Sequence, residues 1–272
     1  MAARNDAIFA ANRAVGTLSF EVKNVAGKTR RGQLHEAGSL RVRCPGAPAA
    51  ELEAVLINTA GGVAGGDRFA LDITAGADTR LVVTTAAAEK VYRTLGPDST
   101  IVVKLDVASG ATLAWLPQET ILFDRARLSR SIEVSVATDA KLFMAEAIVF
   151  GRTGMGETVQ EGALIDRWRV RHGGKLVYAE TVRLDGAIAQ RMAAAAVAKG
   201  GAAIATVLIV PGDDAVVAAI RAMQEAFSGE VGVSAWNGIA VVRLVAADGA
   251  ALRRDLIRVM TAVRVLPRIW TN

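Results

Sequence analysis

The sequence predicts a mainly β chain folding as one domain over residues 1–272, β-rich over 1–186 and mixed α/β over 187–272, with two or three helices in the last third. Three observations carry this. Apolar and polar residues alternate with period two through much of the first two-thirds, as on a half-buried strand. Short clusters containing Gly, Pro or Asp interrupt the alternation and mark turns. In the last third the apolar spacing lengthens to three and four in two segments, the helical period. Hydrophobic residues make up 52% of the chain, enough for a packed core, and no Pro- or Ser-rich linker divides it.

The elements follow in order. Leu18, Phe20 and Val22 alternate with Ser19, Glu21 and Lys23. Ile101, Val103, Leu105 and Val107, and later Ile132, Val134 and Val136, alternate in the same way. Ala26-Gly27-Lys28, Gly76-Ala77-Asp78, Gly96-Pro97-Asp98, Ser109-Gly110 and Gly173-Gly174 supply the turns, so the segment through Leu184 reads as many short antiparallel strands. Residues 187–199 are alanine-rich and suit a short helix, and Ala202 to Val210 suits a buried strand. Asp213 then caps a helix over 213–227 that places Val216, Ile220, Met223 and Phe227 on one face. Val231 to Ala235 and Ile239 to Val245 form two strands around Asn237-Gly238. A last helix carries Leu252, Leu256, Val259 and Val263 on one side and ends at Pro267.

Composition narrows the function classes. The net charge is +5 with basic residues scattered, which suits an acidic protein partner and does not imply nucleic-acid binding. Cys44 is the single cysteine, so no intrachain disulfide forms. His35 and His172 have no zinc-ligand spacing. No Gly-x-Ser-x-Gly elbow is present. Residues 1–12 lack a secretory apolar segment, and runs such as Ala202 to Val210 are too short to span a bilayer. The expectation is a soluble, cytoplasmic protein with no residue pattern that favours nucleophilic catalysis, an enzyme of unknown reaction using the Gly61–Asp67 loop and nearby acids remaining an alternative.

Two features bear on chemistry. The loop Asn58-Thr59-Ala60-Gly61-Gly62-Val63-Ala64-Gly65-Gly66-Asp67 resembles a phosphate loop but presents Asp67 and Arg68 where lysine and serine or threonine belong. Gly61, Gly62, Gly65 and Gly66 are therefore expected to serve tight turns or close backbone approach. The second feature is carboxylates of inward parity. Asp67 shares a strand face with Phe69, Leu71 and Ile73; Glu119 with Ile121 and Phe123; Glu146 with Leu142, Met144, Ile148 and Phe150; Glu180 with Tyr178, Val182 and Leu184. A buried carboxylate must be paired, protonated or hydrated. Arginines such as Arg68, Arg93, Arg125, Arg152 and Arg183 are available to neutralise these acids; the other reading is a hydrated interior whose oxygen ligands hold a divalent metal loosely, in transit. Arg167, Arg169 and Arg171 alternate with Asp166, Trp168 and Val170 and line one face, as a solvated surface or as a docking stripe.

LINTAGGVAGGDRF at 56–69, TTAAAEKVYRT at 84–94, WLPQETILFDRARLSR at 115–130, EAIVFGRTGMGE at 146–157 and WRVRHGGKLV at 168–177 together resemble the urease accessory protein UreD (UreH) family. Ala86 stands where that pattern has glutamine. The resemblance implies a two-layered scaffold of coiled strands, antiparallel or mixed, with a few helices. It implies a nickel-insertion chaperone that binds apo-urease and UreF, and through UreF the GTPase UreG, with no tightly bound cofactor and nickel only in transit. Asp67, Glu119, Glu146 and Glu180 become the candidate nickel path. Contact with UreF is expected from the C-terminal third, through Ile220 and Phe227 of the helix or Arg268 and Trp270 of the tail.

Overall fold

The computed structural model describes residues 12–46, 49–94, 96–263 and Trp270. The chain opens with a hairpin, β1 (Val15–Val25) and β2 (Lys28–Gly38), then enters a second layer with β3 (Leu40–Arg43) and β4 (Leu52–Asn58). From there it coils between the layers. The first layer receives β5 (Arg68–Ala75), the second β6 (Arg80–Thr85) and the short β7 (Glu89–Val91); then the first takes β8 (Ser99–Val107) and the second β9 (Thr112–Leu116) and β10 (Thr120–Leu122). β11 (Arg127–Val136) falls in the first, β12 (Lys141–Phe150) in the second, and β13 (Glu161–His172) with β14 (Lys175–Ala187) completes the first. The remainder adds α1 (Ile188–Ala193), β15 (Ala203–Val210), α2 (Asp214–Arg221), β16 (Glu230–Trp236), β17 (Ile239–Ala246) and α3 (Gly249–Ala262), its three strands extending the second layer.

This coiling corrects the antiparallel expectation for the middle of the chain. Successive strands stack in opposite layers instead of pairing, so strands from successive turns of the coil pair in parallel: β1–β5, β5–β8, β8–β11 and β11–β13 in one layer, β4–β6, β6–β9 and β9–β12 in the other. Gly76-Ala77-Asp78 and Ser109-Gly110 are corners between layers. Ala26-Gly27 and Asn237-Gly238 do close hairpins, with both residues of each pair at positive φ as a two-residue I′ turn requires.

The main core lies between the layers, around Phe20, Ile73, Leu105, Leu113, Ile132 and Met144. A second core covers the outer face of the second layer, where α2 and α3 bring Ile220, Leu252, Leu256 and Val259 onto Ala145, Val207 and Val242. β12 serves both: Leu142, Met144 and Ile148 face between the layers, and Phe143, Ala145 and Val149 face the helices. That is why nine of its ten residues are buried. Asp213 caps α2 through Val216 N at 3.0 Å, and Asp248 caps α3 through Ala251 N at 2.8 Å.

Two expected partner contacts belong to this second core. Ile220 and Trp270 are each 1% exposed, because the helical face and the tail ring supply the apolar cover the sheet needs. Trp270 Nε1 donates to the Leu116 carbonyl at 3.1 Å, and the Arg253 guanidinium lies 4.5 Å from its ring centre. Phe227 is half-buried against the same core, and Arg268 lies outside the described residues. Trp270→Phe keeps a ring but leaves the Leu116 carbonyl unpaired, and is expected to cost about 1–2 kcal/mol in urea denaturation. No change in stability would contradict the anchoring role.

Candidate functional site: polar groups between the layers

Arg130 on β11 stands directly opposite Asp166 on β13 in a parallel register. Its Nε and one terminal nitrogen donate to Asp166 Oδ1 and Oδ2 at 2.9 and 2.6 Å, a bidentate pair. Its other terminal nitrogen crosses to the second layer and donates to Glu146 Oε2. Trp115 Nε1, on β9, donates to Glu146 Oε1 at 2.7 Å. All three charged side chains are buried. One guanidinium thus holds two carboxylates. Burial pushes the Glu146 carboxyl up, opposed by Arg130 and reinforced by the charge of Asp166. Burial alone would lower the Arg130 pKa, but the two acids more than offset that.

The triad separates two voids. On one side a cavity of about 310 Å³ opens between the layers, lined by apolar groups including Leu56, Phe69 and Val103, with Arg130 and Glu146 at its polar end. Glu89 and Asn58 also line it, and Asn58 Nδ2 donates to Glu89 at 3.2 Å. Burial pushes the Glu89 carboxyl up to about 7, so its charge responds to small pH changes near neutrality. On the other side a void of about 20 Å³, room for about one water, is bordered by Glu146, Asp166, Glu180 and Thr206. Glu180 closes it towards the edge of the layers, accepting from Tyr178 Oη and pairing with Arg243 at 2.7 Å. Its ion-pair partner Arg243 is half exposed.

A profile described as UreD urease accessory protein matches residues 14–271. The chain belongs to the UreD family. It is 57% identical over 267 residues to the urease accessory protein UreD of Rhodopseudomonas palustris strain BisA53, covering 98% of this chain and 93% of that one. It is 55% identical to UreD of Bradyrhizobium diazoefficiens over 97% of this chain and 96% of that one.

The structure sorts the four candidate acids within this UreD chain. Glu146 and Glu180 border the same small void. Asp67 does not join them: its carboxylate accepts from the backbone N–H groups of Ala14 and Ala64 at 2.8 and 2.7 Å and fixes the glycine loop. Glu119 has the predicted parity with Ile121, but that face of β10 points to the helices, and Glu119 pairs with Arg253 at 3.0 Å. None of Arg68, Arg93, Arg125, Arg152 or Arg183 forms an ion pair with these acids; Arg130, Arg243 and Arg253 do. Among the described residues no group of three or more His, Cys, Asp or Glu is placed to hold a metal ion.

The glycine loop has its expected backbone role. A Cβ on Gly62 would lie 2.4 Å from the Tyr92 ring, and one on Gly65 would lie 1.9 Å from Thr94 Oγ1. Gly61 and Gly66 take positive φ. The loop turns N–H groups inward, Val63 N to Lys90 O at 2.7 Å and Ala64 N to Asp67, so they are not aimed at a phosphate. Arg167 and Arg171 are exposed and Arg169 half-buried on the outer face of the first layer.

The sequence reading missed Arg130, Asp166 and Glu89. Asp166 alternates with the outward Arg167, Arg169 and Arg171 and so had to point inward. Arg130 likewise shares parity with Leu128 and Ile132, both buried. Glu89 gave no such signal, because β7 is only three residues long.

Proposed function

We propose that the chain is a non-catalytic scaffold for urease maturation in the cytoplasm, joining apo-urease to UreF and through it to the GTPase UreG. Nickel passes through it as cargo. The observation that carries the conduit is that Glu146 lines two voids that further carboxylates also line: Glu89 the larger, Asp166 and Glu180 the smaller. Oxygen donors on isolated carboxylates bind a borderline divalent cation weakly, which suits transfer and not storage. Arg130 borders the larger void and is bonded to both Glu146 and Asp166, so passage requires its guanidinium to release Glu146 while it keeps Asp166.

A second reading is a scaffold that handles no metal. The fully paired triad favours it, since each charge there already has a structural partner. Co-expression of urease, UreF and UreG with and without this chain tests the maturation role. Active, nickel-loaded urease is expected only when the chain is present. Equal activity in its absence would refute the role.

A further inference from the structure

The second layer overhangs the first at the edge where β14 and β16 end the two sheets. The residues of β16 that face the first layer, Glu230, Gly232, Ser234 and Trp236, are all exposed, whereas Val231, Val233 and Ala235 pack on the helix-side core. Each of β14 and β16 is the outermost strand of its layer, so no further strand of either sheet covers the gap between them. Side chains bridge it instead. Arg243 of β17 reaches across to β14, pairing with Glu180 at 2.7 Å and donating to Tyr178 Oη at 3.3 Å. Tyr178 in turn packs on Trp236, with ring centres 6.4 Å apart.

A row of the second layer leads from the buried triad to this edge. Glu146, Thr206, Arg243 and Gly232 are successive cross-strand neighbours on β12, β15, β17 and β16. Strands lie about 4.8 Å apart, so the row spans about 14 Å. Glu146, Thr206 and Glu180 border the small void, and Arg243 stands one strand beyond Thr206, half exposed, between the void and solvent. Glu180 is held at both oxygens, Oε1 by Arg243 and Oε2 by the Tyr178 hydroxyl. A cation reaching Glu180 would meet the guanidinium at the same carboxylate, like charge against like charge. Room for the guanidinium to turn aside lies next to it: Gly232 has no side chain, and a Cβ there would meet nothing within 4 Å. Releasing a half-exposed ion pair costs little, unlike the buried pairs of Arg130.

We infer that Arg243 is the gate of the small void: paired with Glu180 it closes the edge, and turned into the space beside Gly232 it frees Glu180 as the last oxygen ligand a divalent cation meets before solvent. This rests on the conduit proposed above and names the residue that controls its open end. Arg243 ligates nothing itself; it is a positioning residue that sets when Glu180 can.

The test is equilibrium dialysis of the purified full chain against Ni²⁺ alone. Arg243→Gln removes the competing charge and is expected to tighten nickel binding about fivefold, the worth of a half-exposed ion pair. Adding Glu180→Gln to it is expected to abolish the gain, which a general loss of positive charge would not do. Gly232→Val, at an exposed strand position, fills the space the guanidinium needs and is expected to weaken nickel binding below that of the parent. An Arg243→Gln affinity within about twofold of the parent, or a gain that survives Glu180→Gln, would overturn the gate and leave the conduit standing. Urease fully loaded with nickel by chains carrying Glu146→Gln and Glu180→Gln would overturn the conduit, and the gate with it.

Discussion

Arg130→Met is expected to destabilise the protein by about 3–5 kcal/mol at neutral pH, the cost of removing one partner from a buried ion pair. Methionine fills much of the volume, so a cavity is not the main loss. The loss is electrostatic: Glu146 and Asp166, both buried, would face each other across the gap without a cation. At least one would take up a proton to relieve this. A carboxyl whose folded pKa lies above its unfolded value binds more protons folded than unfolded, so its penalty shrinks as pH falls towards the ordinary carboxylate range. Urea denaturation at about pH 7.5 and about pH 5.5 should therefore show a smaller deficit at the lower pH. A deficit below about 1 kcal/mol, or one equal at both pH values, would mean that Arg130 does not neutralise the pair.

Glu146→Gln is expected to behave oppositely, keeping the fold and losing function. The triad holds two carboxylates against one guanidinium, so removing the charge of Glu146 leaves Arg130 matched with Asp166 through its bidentate contact. The Gln oxygen can accept from Trp115 Nε1 or from Arg130 but not from both, so the amide nitrogen replaces one acceptor and one of these two donors must turn to water in the 310 Å³ cavity. A loss of about 1–3 kcal/mol follows, smaller than for Arg130→Met because Arg130 keeps Asp166. The amide cannot carry negative charge for a passing cation, so urease activation should fall sharply while the complex with UreF and apo-urease assembles as before. A large loss of stability, with activation lost only in proportion to folded protein, would leave Glu146 a structural residue.

Much of this was legible in the sequence because strand parity is a strict constraint. Alternation placed Glu146 inward and Arg167, Arg169 and Arg171 outward, and Asp213 and the Asn237-Gly238 turn marked their elements. Pairing direction was not legible. A turn such as Gly76-Ala77-Asp78 has the same composition whether it closes a hairpin or carries the chain to the facing layer, and only the whole coil decides between them. Side-chain partners were hidden for a related reason. Arg130 meets Asp166 across a parallel pair and Glu146 across the layers, 36 and 16 residues away, distances that no local pattern encodes. Trp270 was read as a surface residue because its burial depends on an exposed-looking tail finding the Leu116 carbonyl 154 positions earlier.

The most direct test of the conduit is the nickel content of urease taken from complexes matured with the parent chain, with Glu146→Gln and with Glu180→Gln, each checked for equal amounts of bound chain and UreF. The account predicts nickel-loaded urease with the parent and urease depleted of nickel with either variant, from complexes of the same composition. Full nickel loading with both variants would contradict it and leave the chain a scaffold that handles no metal.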